Sequence, residues 1–251
     1  LYCRRDSPLA VVEAKEIGLP AETGVQQARE YAEILGLKFA YATNGHRIIE
    51  IDYTTGTERE VDRYATPDEL FARLSAAAHL PESASSCLLE PFNLVSGKVP
   101  RYYQQIAINR VIEAILLGQK RILATLATGT GKTCVAFQIC WKLWSSRWNR
   151  TGEYRRPKIL FLADRNILVD QTITNDFKPF GSVMTKVQGR IADKSYEVYL
   201  ALYQAVTGTE EEKNVYKQFS RDFFDLVVID ECHRGSAKED SAWREILDHF
   251  E

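Results

Sequence analysis

The stretch RILATLATGTGKTCVAFQICWKLW, residues 121–144, decides the fold of the larger part of this chain. Its apolar residues from Ile122 to Leu126 predict a strand, and a loop rich in threonine and glycine follows. Apolar residues then continue at a spacing that predicts a helix from about Lys132. A strand, a glycine-rich loop and a helix in this order are typical of a loop that binds phosphate groups.

This loop contains the residue types that hold a nucleoside triphosphate. Its glycines lack a Cβ and let backbone N–H groups close on phosphate oxygens, while its lysine can reach the β- and γ-phosphates. The hydroxyl of its last threonine can ligate Mg²⁺. The strict pattern G-x-x-x-x-G-K-[ST] is not met, because Leu126 occupies the first glycine position. The sequence predicts that ATP and Mg²⁺ are bound by Thr128, Gly129, Thr130, Gly131, Lys132 and Thr133.

A second motif, which is acidic, lies about 100 residues after the glycine-rich loop, in FFDLVVIDECHRG, residues 223–235. Leu226 to Ile229 predict a buried strand, and Asp230 at its carboxyl end can hold Mg²⁺. Glu231 is positioned to polarise the attacking water. The alternative interpretation is a buried strand that ends in an acidic helix cap.

Together these motifs resemble the first RecA-like domain of superfamily 2 helicases and translocases, over residues 98–251. The alternation of helices and apolar strands predicts a parallel sheet between helices. The resemblance implies that RYYQQIAI, residues 101–108, contacts adenine through Arg101 and Gln104. It also implies that ILFLADRNILVDQ and YLALYQAV contact nucleic acid, at Asp164, Arg165, Asn166, Tyr203 and Gln204.

A basic tract between Lys142 and Lys158 contains six Lys or Arg residues and one Glu. Together with its tryptophans, this tract could form an edge that binds nucleic acid. However, Trp141, Trp144 and Trp148 are three and four residues apart, which places them on one face of a helix. We favour an aromatic face packed on the core, with a solvated basic end.

The stretch PLAVVEAKEIG, residues 8–18, places a carboxylate and an ammonium at the end of an apolar strand. Glu13 and Lys15 are two residues apart, so they point to the same face. The helical spacing in residues 22–37 then places Gln27 and Tyr31 four apart on one helix face. An ordinary ion pair on an edge strand is the alternative for Glu13 and Lys15.

Residues 38–52 predict a hairpin around Asn44-Gly45. Strand, helix and hairpin together resemble the RecB-like branch of the PD-(D/E)xK nuclease fold, with a mixed sheet that is only partial here. The resemblance implies that Glu13 holds Mg²⁺, that Lys15 stabilises charge on the phosphodiester, and that Gln27 and Tyr31 support the site. Asp6 is poorly placed for the acidic residue expected on the preceding strand, which we expect just before Leu1. We therefore expect this chain to be deficient as a nuclease.

A RecB-like nuclease followed by a superfamily 2 motor resembles the R subunit of type I restriction endonucleases. The resemblance implies an ATP- and Mg²⁺-dependent translocase and endonuclease that acts on double-stranded DNA together with methylation and specificity subunits. It also implies a fragment, since the second RecA-like domain and its arginine are missing, and we expect slow ATP hydrolysis at most. The alternatives are a free-standing superfamily 2 translocase with a DNA-binding, nuclease-like domain, and a non-enzymatic interaction module.

Composition sets the outer limits of these interpretations. The chain has 251 residues, is 45% hydrophobic and carries a net charge of −2, so nucleic acid must be bound by local patches. Its apolar runs are too short for a membrane span, and its five cysteines show no metal spacing, which indicates a cytoplasmic protein. The domains predicted are a partial nuclease domain (1–78), a linker (79–97) and the first RecA-like domain (98–251).

Overall fold

The structure, a computed structural model, divides the chain into two compact units. The first comprises Leu1–Pro91 with Pro100–Ala124, and the second comprises Phe92–Val99 with Thr125–Glu251. The residues that the structure describes are 2–4, 7–80, 84–94, 97, 99–163, 176–187, 193–202, 215–230 and 244–250.

The first unit combines a mixed sheet with helices. Its elements in chain order are β1 (Tyr2–Arg4), β2 (Ser7–Pro8), β3 (Ala10–Ala14), a 3-10 helix (Ala21–Gly24), α1 (Val25–Leu35), β4 (Phe39–Thr43), β5 (Ile48–Asp52), β6 (Thr57–Val61), α2 (Pro67–Ala77), α3 (Ala84–Leu89) and α4 (Tyr102–Leu116).

The main sheet of this unit has the order β3-β4-β5-β6. Strands β3 and β4 are parallel, with α1 in the crossover between them, because parallel neighbours cannot be joined by a tight turn. Strands β4 and β5 are antiparallel around Asn44 and Gly45, which confirms the predicted hairpin, and β6 continues the antiparallel pairing. Strands β1 and β2 form a separate antiparallel pair.

Two clusters of buried side chains cover the two faces of this sheet. Small residues let α1 approach one face closely, since Ala28 and Ala32 pack against Ala40, Ala42 and Ile51. On the other face, α2 packs through Leu70 against larger residues. These are Leu9, Phe39 and Tyr41.

The second unit is built on a parallel sheet. Its elements in chain order are α5 (Lys132–Ser145), β7 (Ile159–Ala163), a 3-10 helix (Lys178–Val183), β8 (Met184–Lys186), β9 (Val198–Leu202), a 3-10 helix (Val215–Gln218) and β10 (Leu226–Ile229). The strands pair in parallel in the order β10-β7-β9-β8.

Both faces of this sheet are covered, as predicted. Phe137 and Cys140 of α5 pack against Phe161 on one face, and on the other face Leu162 and its neighbours pack with Phe224. Burial raises the pKa of the Cys140 thiol to about 12. The chain therefore combines a mixed sheet and a parallel sheet in one α/β protein.

The predicted aromatic face of α5 is confirmed for two of its three tryptophans. Trp141 and Trp144 pack against Phe180 beside the core of the second unit. Trp148 lies beyond the end of the helix at Ser145, so it does not continue the aromatic face.

The predicted strand from Ile122 to Leu126 is wrong. Over these residues the structure has no strand, and Leu123 is 78% exposed. Strand pairing is a long-range property, and an apolar segment with β-branched residues only favours it. The motif and the local composition favour a strand before the glycine-rich loop, but neither supplies a neighbouring strand to pair with.

The stretch 79–97, predicted as a linker, contains helix α3, with Cys87 1% exposed. The division into units also assigns Pro100–Ala124 to the first unit, whereas the sequence favours a motor domain from residue 98. The domain boundaries drawn from the sequence therefore stay predictions. Among the described residues, no helix combines the length and apolar character that a membrane crossing requires.

Candidate functional site

The predicted phosphate loop leads directly into α5. Gly131 precedes the helix with φ +83° and ψ +42°, and Gly129 has φ +81°. Residues with a Cβ rarely adopt this left-handed conformation, so the turn requires glycine. Thr130 folds the loop back by donating its hydroxyl to the Ala127 carbonyl at 2.6 Å. Lys132 is half-buried as the first residue of α5, where helix N–H groups and the helix dipole favour an anion.

Thr133 and Asp230 meet although they are far apart in sequence. The Thr133 hydroxyl donates to Asp230 Oδ2 at 3.3 Å, and the Asp230 N–H donates to the Leu162 carbonyl at 2.9 Å. Neighbouring oxygens on an octahedral Mg²⁺ ion lie about 3 Å apart. A hydroxyl and a carboxylate at this separation therefore fit two positions of a Mg²⁺ shell.

Several predicted site residues directly follow parallel strands of the second unit. Because the carboxyl ends of parallel strands lie at one edge of the sheet, β7, β9 and β10 all end on the side where Asp230 lies. The predicted residues that lie outside the described part of the chain are Asp164, Arg165, Asn166, Tyr203, Gln204 and Glu231.

The predicted adenine contacts, Arg101 and Gln104, lie at the start of α4 in the first unit. Gln104 is buried, and its Oε1 accepts the Arg101 backbone N–H at 2.8 Å. This bond satisfies a donor at the helix N-terminus. Gln104 therefore has a structural role as a helix cap, and the adenine contact stays a prediction.

The four residues predicted for the nuclease site form one hydrogen-bonded chain. Lys15 Nζ donates to Glu13 Oε1 at 2.8 Å and to Gln27 Oε1 at 2.7 Å. Gln27 Nε2 then donates to the Tyr31 hydroxyl at 2.7 Å. The structure therefore brings Glu13, Lys15, Gln27 and Tyr31 together on one face of the sheet.

Strand register and helix spacing explain this arrangement. Glu13 lies opposite Ala42 in the parallel β3–β4 ladder, and the Lys15 N–H donates to the Thr43 carbonyl at 2.8 Å. Alternate strand residues share a face, which directs both side chains towards α1. Gln27 and Tyr31 are one helical turn apart on α1 and can therefore bond to each other.

Gly24 is a residue of this site that sequence reasoning missed. A Cβ on Gly24 would lie 3.3 Å from Glu13 Cγ and 3.4 Å from Lys15 Cγ. Its φ of −88° and ψ of −14° are open to any residue, so glycine is needed here for space alone. A glycine immediately before α1, where Ser, Thr, Asp or Asn is preferred, was the available signal.

The Glu13–Lys15 pair is sheltered from water, with 16% and 23% of the two side chains exposed. Such a pair is screened less by salt than a surface pair. Among the described residues, no group of three or more His, Cys, Asp or Glu side chains forms a metal cluster. The metal role of Glu13 stays a prediction, and Asp6 lies outside the described residues.

Comparisons with known proteins agree with this architecture. The sequence model of the family described as type III restriction enzyme, res subunit, matches residues 97–251. The endonuclease subunit of the type I restriction enzyme EcoAI from Escherichia coli is 50% identical over 100% of this chain. The EcoKI endonuclease subunit from Escherichia coli strain K12 is 31% identical over 86% of the chain.

A solved structure has the same fold. It is a fragment described as the HsdR subunit of a type I restriction enzyme from Vibrio vulnificus YJ016, with a TM-score of 0.84 and 53% identity. The match covers 100% of this chain and 42% of that one. This chain spans 31% and 20% of the lengths of the EcoAI and EcoKI subunits.

Proposed function

Because this chain belongs to the restriction-enzyme family described as type III restriction enzyme, res subunit, and resembles type I R subunits along its length, we propose that it acts in ATP-dependent DNA restriction. The subunit would bind Mg-ATP, move along double-stranded DNA and cleave it, together with methylation and specificity subunits. The observation that carries the proposal is that one chain contains both the Glu13–Lys15–Gln27–Tyr31 cluster and the Thr133–Asp230 contact.

In the first unit, Lys15 has the role of stabilising negative charge on the phosphodiester as the bond breaks. Gln27 orients Lys15 through its carbonyl oxygen and orients Tyr31 through its amide N–H. This assignment makes the Tyr31 hydroxyl an acceptor from Gln27 and leaves its own O–H to donate to a substrate oxygen. Mg²⁺ held by Glu13 would supply further electrostatic activation of the phosphodiester when bound.

In the second unit, the backbone N–H groups around Gly129 and Gly131 and the Lys132 ammonium would hold the triphosphate. Thr133 and Asp230 would hold Mg²⁺, which neutralises phosphate charge when bound. Glu231 is proposed as the residue that polarises the attacking water. Arg101 and Gln104 are proposed to contact adenine. The proposed DNA contacts are Arg165, Asn166, Tyr203 and Gln204.

A titration with a fluorescent ATP analogue and Mg²⁺ tests the nucleotide part of this proposal. We expect saturable binding to this chain and a dissociation constant about 100-fold higher for Lys132→Ala, because a charge-assisted phosphate contact is lost. Lys178→Ala removes an exposed lysine of the same unit and is the matched control, with unchanged affinity expected. Equal binding by all three proteins would refute the assignment of the phosphate loop.

Cleavage separates restriction from the alternative of a free-standing translocase. In the full-length subunit with its methylation and specificity partners, Glu13→Gln is expected to abolish cleavage and to retain ATP hydrolysis. If the protein is instead a translocase whose nuclease-like part only binds DNA, the wild type and Glu13→Gln would hydrolyse ATP equally well. Neither of them would cut DNA.

A further inference from the structure

Residues 16–24, called the connector here, join the two halves of the candidate nuclease site. The connector follows Lys15 directly and ends where α1 begins, with Gln27 in the first turn of that helix. Lys15 Nζ and Gln27 Oε1 nevertheless lie 2.7 Å apart, so the connector leaves the site and returns to it. The path of the connector therefore decides whether these two side chains can meet.

The two ends of the connector are held in different ways. In its second half, Ala21 and Gly24 are buried and anchor the chain in the core beneath α1. In its first half, residues 16–20 have no buried side chain, and the Leu19 N–H donates to the Glu16 carbonyl at 2.9 Å in a local turn. A local turn does not attach a segment to its surroundings. The position of the first half therefore depends on polar contacts with the rest of the unit.

The hairpin turn between β4 and β5 provides such a contact through Asn44. Its Nδ2 donates to the Leu19 carbonyl at 2.9 Å, across 25 residues of sequence. Its Oδ1 accepts from the backbone N–H groups of His46 and Arg47 at 3.1 and 3.0 Å. The turn therefore orients the side-chain amide, because the opposite orientation would place its NH₂ group against two N–H donors.

Formation of the turn does not by itself require an amide at this position. Asparagine and aspartate are both favoured at the first position of turns, because their side-chain oxygens accept from the N–H two residues on. An ionised aspartate at position 44 would accept the same bonds but could not donate to the Leu19 carbonyl. The bond from Asn44 Nδ2 is therefore a contribution to the connector that is separable from the turn.

The same turn makes a second contact with the connector through Arg47, whose Nη1 lies 2.7 Å from Glu22 Oε1. The two side chains are 46% and 51% exposed, and an ion pair between exposed side chains contributes little to stability. The Glu22 side chain can also move without moving its backbone. The Asn44 bond is the stronger constraint, because it acts on the main chain of the connector directly.

We infer that Asn44 is a positioning residue of the nuclease site, which holds the connector so that Gln27 meets Lys15. Lys15 lies immediately before the first half of the connector, so release of the Leu19 carbonyl would loosen the backbone that carries the ammonium. The inference rests on the proposed function for the reaction that the site performs. Asn44 acts in it through the connector and not on DNA.

Cleavage by the full-length subunit with its methylation and specificity partners tests the inference. Asn44→Asp keeps the acceptor of the turn and removes the donor to Leu19, so cleavage should fall about tenfold while ATP hydrolysis is unchanged. His46→Asp places the same charge on an exposed residue of the turn and should leave cleavage unchanged, which separates the lost bond from repulsion of DNA. Circular dichroism of each variant shows whether it is folded.

A double-variant cycle shows whether Asn44 acts through the contact between Lys15 and Gln27. Gln27→Leu alone is expected to lower cleavage about thirtyfold, and adding Asn44→Asp should lower it by at most about twofold more, because the positioned contact is already lost. An independent structural effect would instead multiply the two losses to roughly 300-fold.

Three results would overturn the positioning role: cleavage by Asn44→Asp at the wild-type rate, an equal loss in His46→Asp, or multiplied losses in the double variant. Absence of cleavage by the wild-type complex would instead refute the proposed function, and the positioning role would fall with it. Wild-type cleavage therefore distinguishes failure of this inference from failure of the proposed function.

Discussion

The two candidate sites of this chain are built in different ways. In the first unit, Lys15 Nζ lies 2.8 Å from Glu13 Oε1 and 2.7 Å from Gln27 Oε1, within a half-buried cluster. In the second unit, the Thr133 hydroxyl lies 3.3 Å from Asp230, and Gly129 in the preceding loop is exposed. The first site is therefore organised by contacts among its own side chains. The second brings Thr133 and Asp230, which are far apart in sequence, into one longer contact.

The difference follows from how each site is positioned. Glu13 and Lys15 are placed by alternation on one strand, and Gln27 and Tyr31 by one helical turn, so local spacing decides most of the geometry. The candidate nucleotide site instead depends on the common edge of several parallel strands. Substitutions in the scaffold should therefore loosen the side chains of the first site. The geometry of the second site should depend more on bound ligand.

The largest expected effect concerns the buried carboxylate beneath the first site. Glu50 is 2% exposed and accepts from the Tyr41 hydroxyl at 2.7 Å, from Arg59 at 2.9 Å and from Arg73 at 3.1 Å. Glu50→Ala should lower the free energy of unfolding by about 3 kcal/mol, because it leaves these donors unpaired. Urea unfolding measures this change.

Glu58→Ala provides the control for this prediction, because it removes an exposed partner of Arg29 and should change stability by about 0.5 kcal/mol or less. Equal effects of the Glu50 and Glu58 substitutions would show that the buried cluster does not stabilise the sheet beneath the site.

The same carboxylate predicts a dependence of stability on pH. Burial alone would raise the pKa of Glu50, but the hydrogen bond from Tyr41 and the two guanidinium groups together lower it below its ordinary value of 4.5. Its contribution is therefore complete above pH 4.5 and is lost as the pH falls through the folded-state pKa. Urea unfolding of wild type and Glu50→Gln between about pH 3 and 6 should show a smaller acid-induced loss in the variant.

A smaller effect is expected from loosening the preorganised cluster. Gln27→Leu removes the acceptor that holds Lys15 and should lower the cleavage rate of the full-length subunit about thirtyfold. Gln26→Leu, one residue earlier on α1, affects a side chain that bonds to Glu30 and should leave cleavage unchanged. ATP hydrolysis should be equal in both, and a loss of cleavage in both variants would point to the helix as a whole.

The smallest expected effect is steric. Gly24→Ala places a methyl group 3.3 Å from Glu13 Cγ and should lower cleavage about fivefold, because the carboxylate and Lys15 must shift by a few tenths of an ångström. Gly18→Ala is the matched control, since a Cβ there meets no atom within 4 Å. Cleavage assays at varied Mg²⁺ concentration should show a raised Mg²⁺ requirement for the first variant alone.

Local patterns in the sequence predicted much of this structure. Strand alternation placed Glu13 with Lys15 and helix spacing placed Gln27 with Tyr31, whereas only the family resemblance predicted that the two pairs meet. Asn44-Gly45 was enough for the hairpin. The motifs also indicated the Thr133–Asp230 contact.

Properties that depend on distant neighbours could not be predicted in the same way. The stretch Ile122 to Leu126 has a strand-like composition but forms no strand with any of the described residues. The role of Gly24 depends on atoms of Glu13 and Lys15 that approach it only in the folded chain. The helix between Ala84 and Leu89 was not predicted, because the serine-rich composition of this stretch is typical of a linker.

Cleavage and ATP hydrolysis, measured on the same samples of the full-length subunit with its methylation and specificity partners, test the central claim most directly. Lys15→Met should abolish DNA cleavage and retain ATP hydrolysis, whereas Lys132→Met should abolish both. Cleavage that survives in Lys15→Met, or ATP hydrolysis that is lost with it, would contradict the assignment of a nuclease site and a separate nucleotide site to this chain.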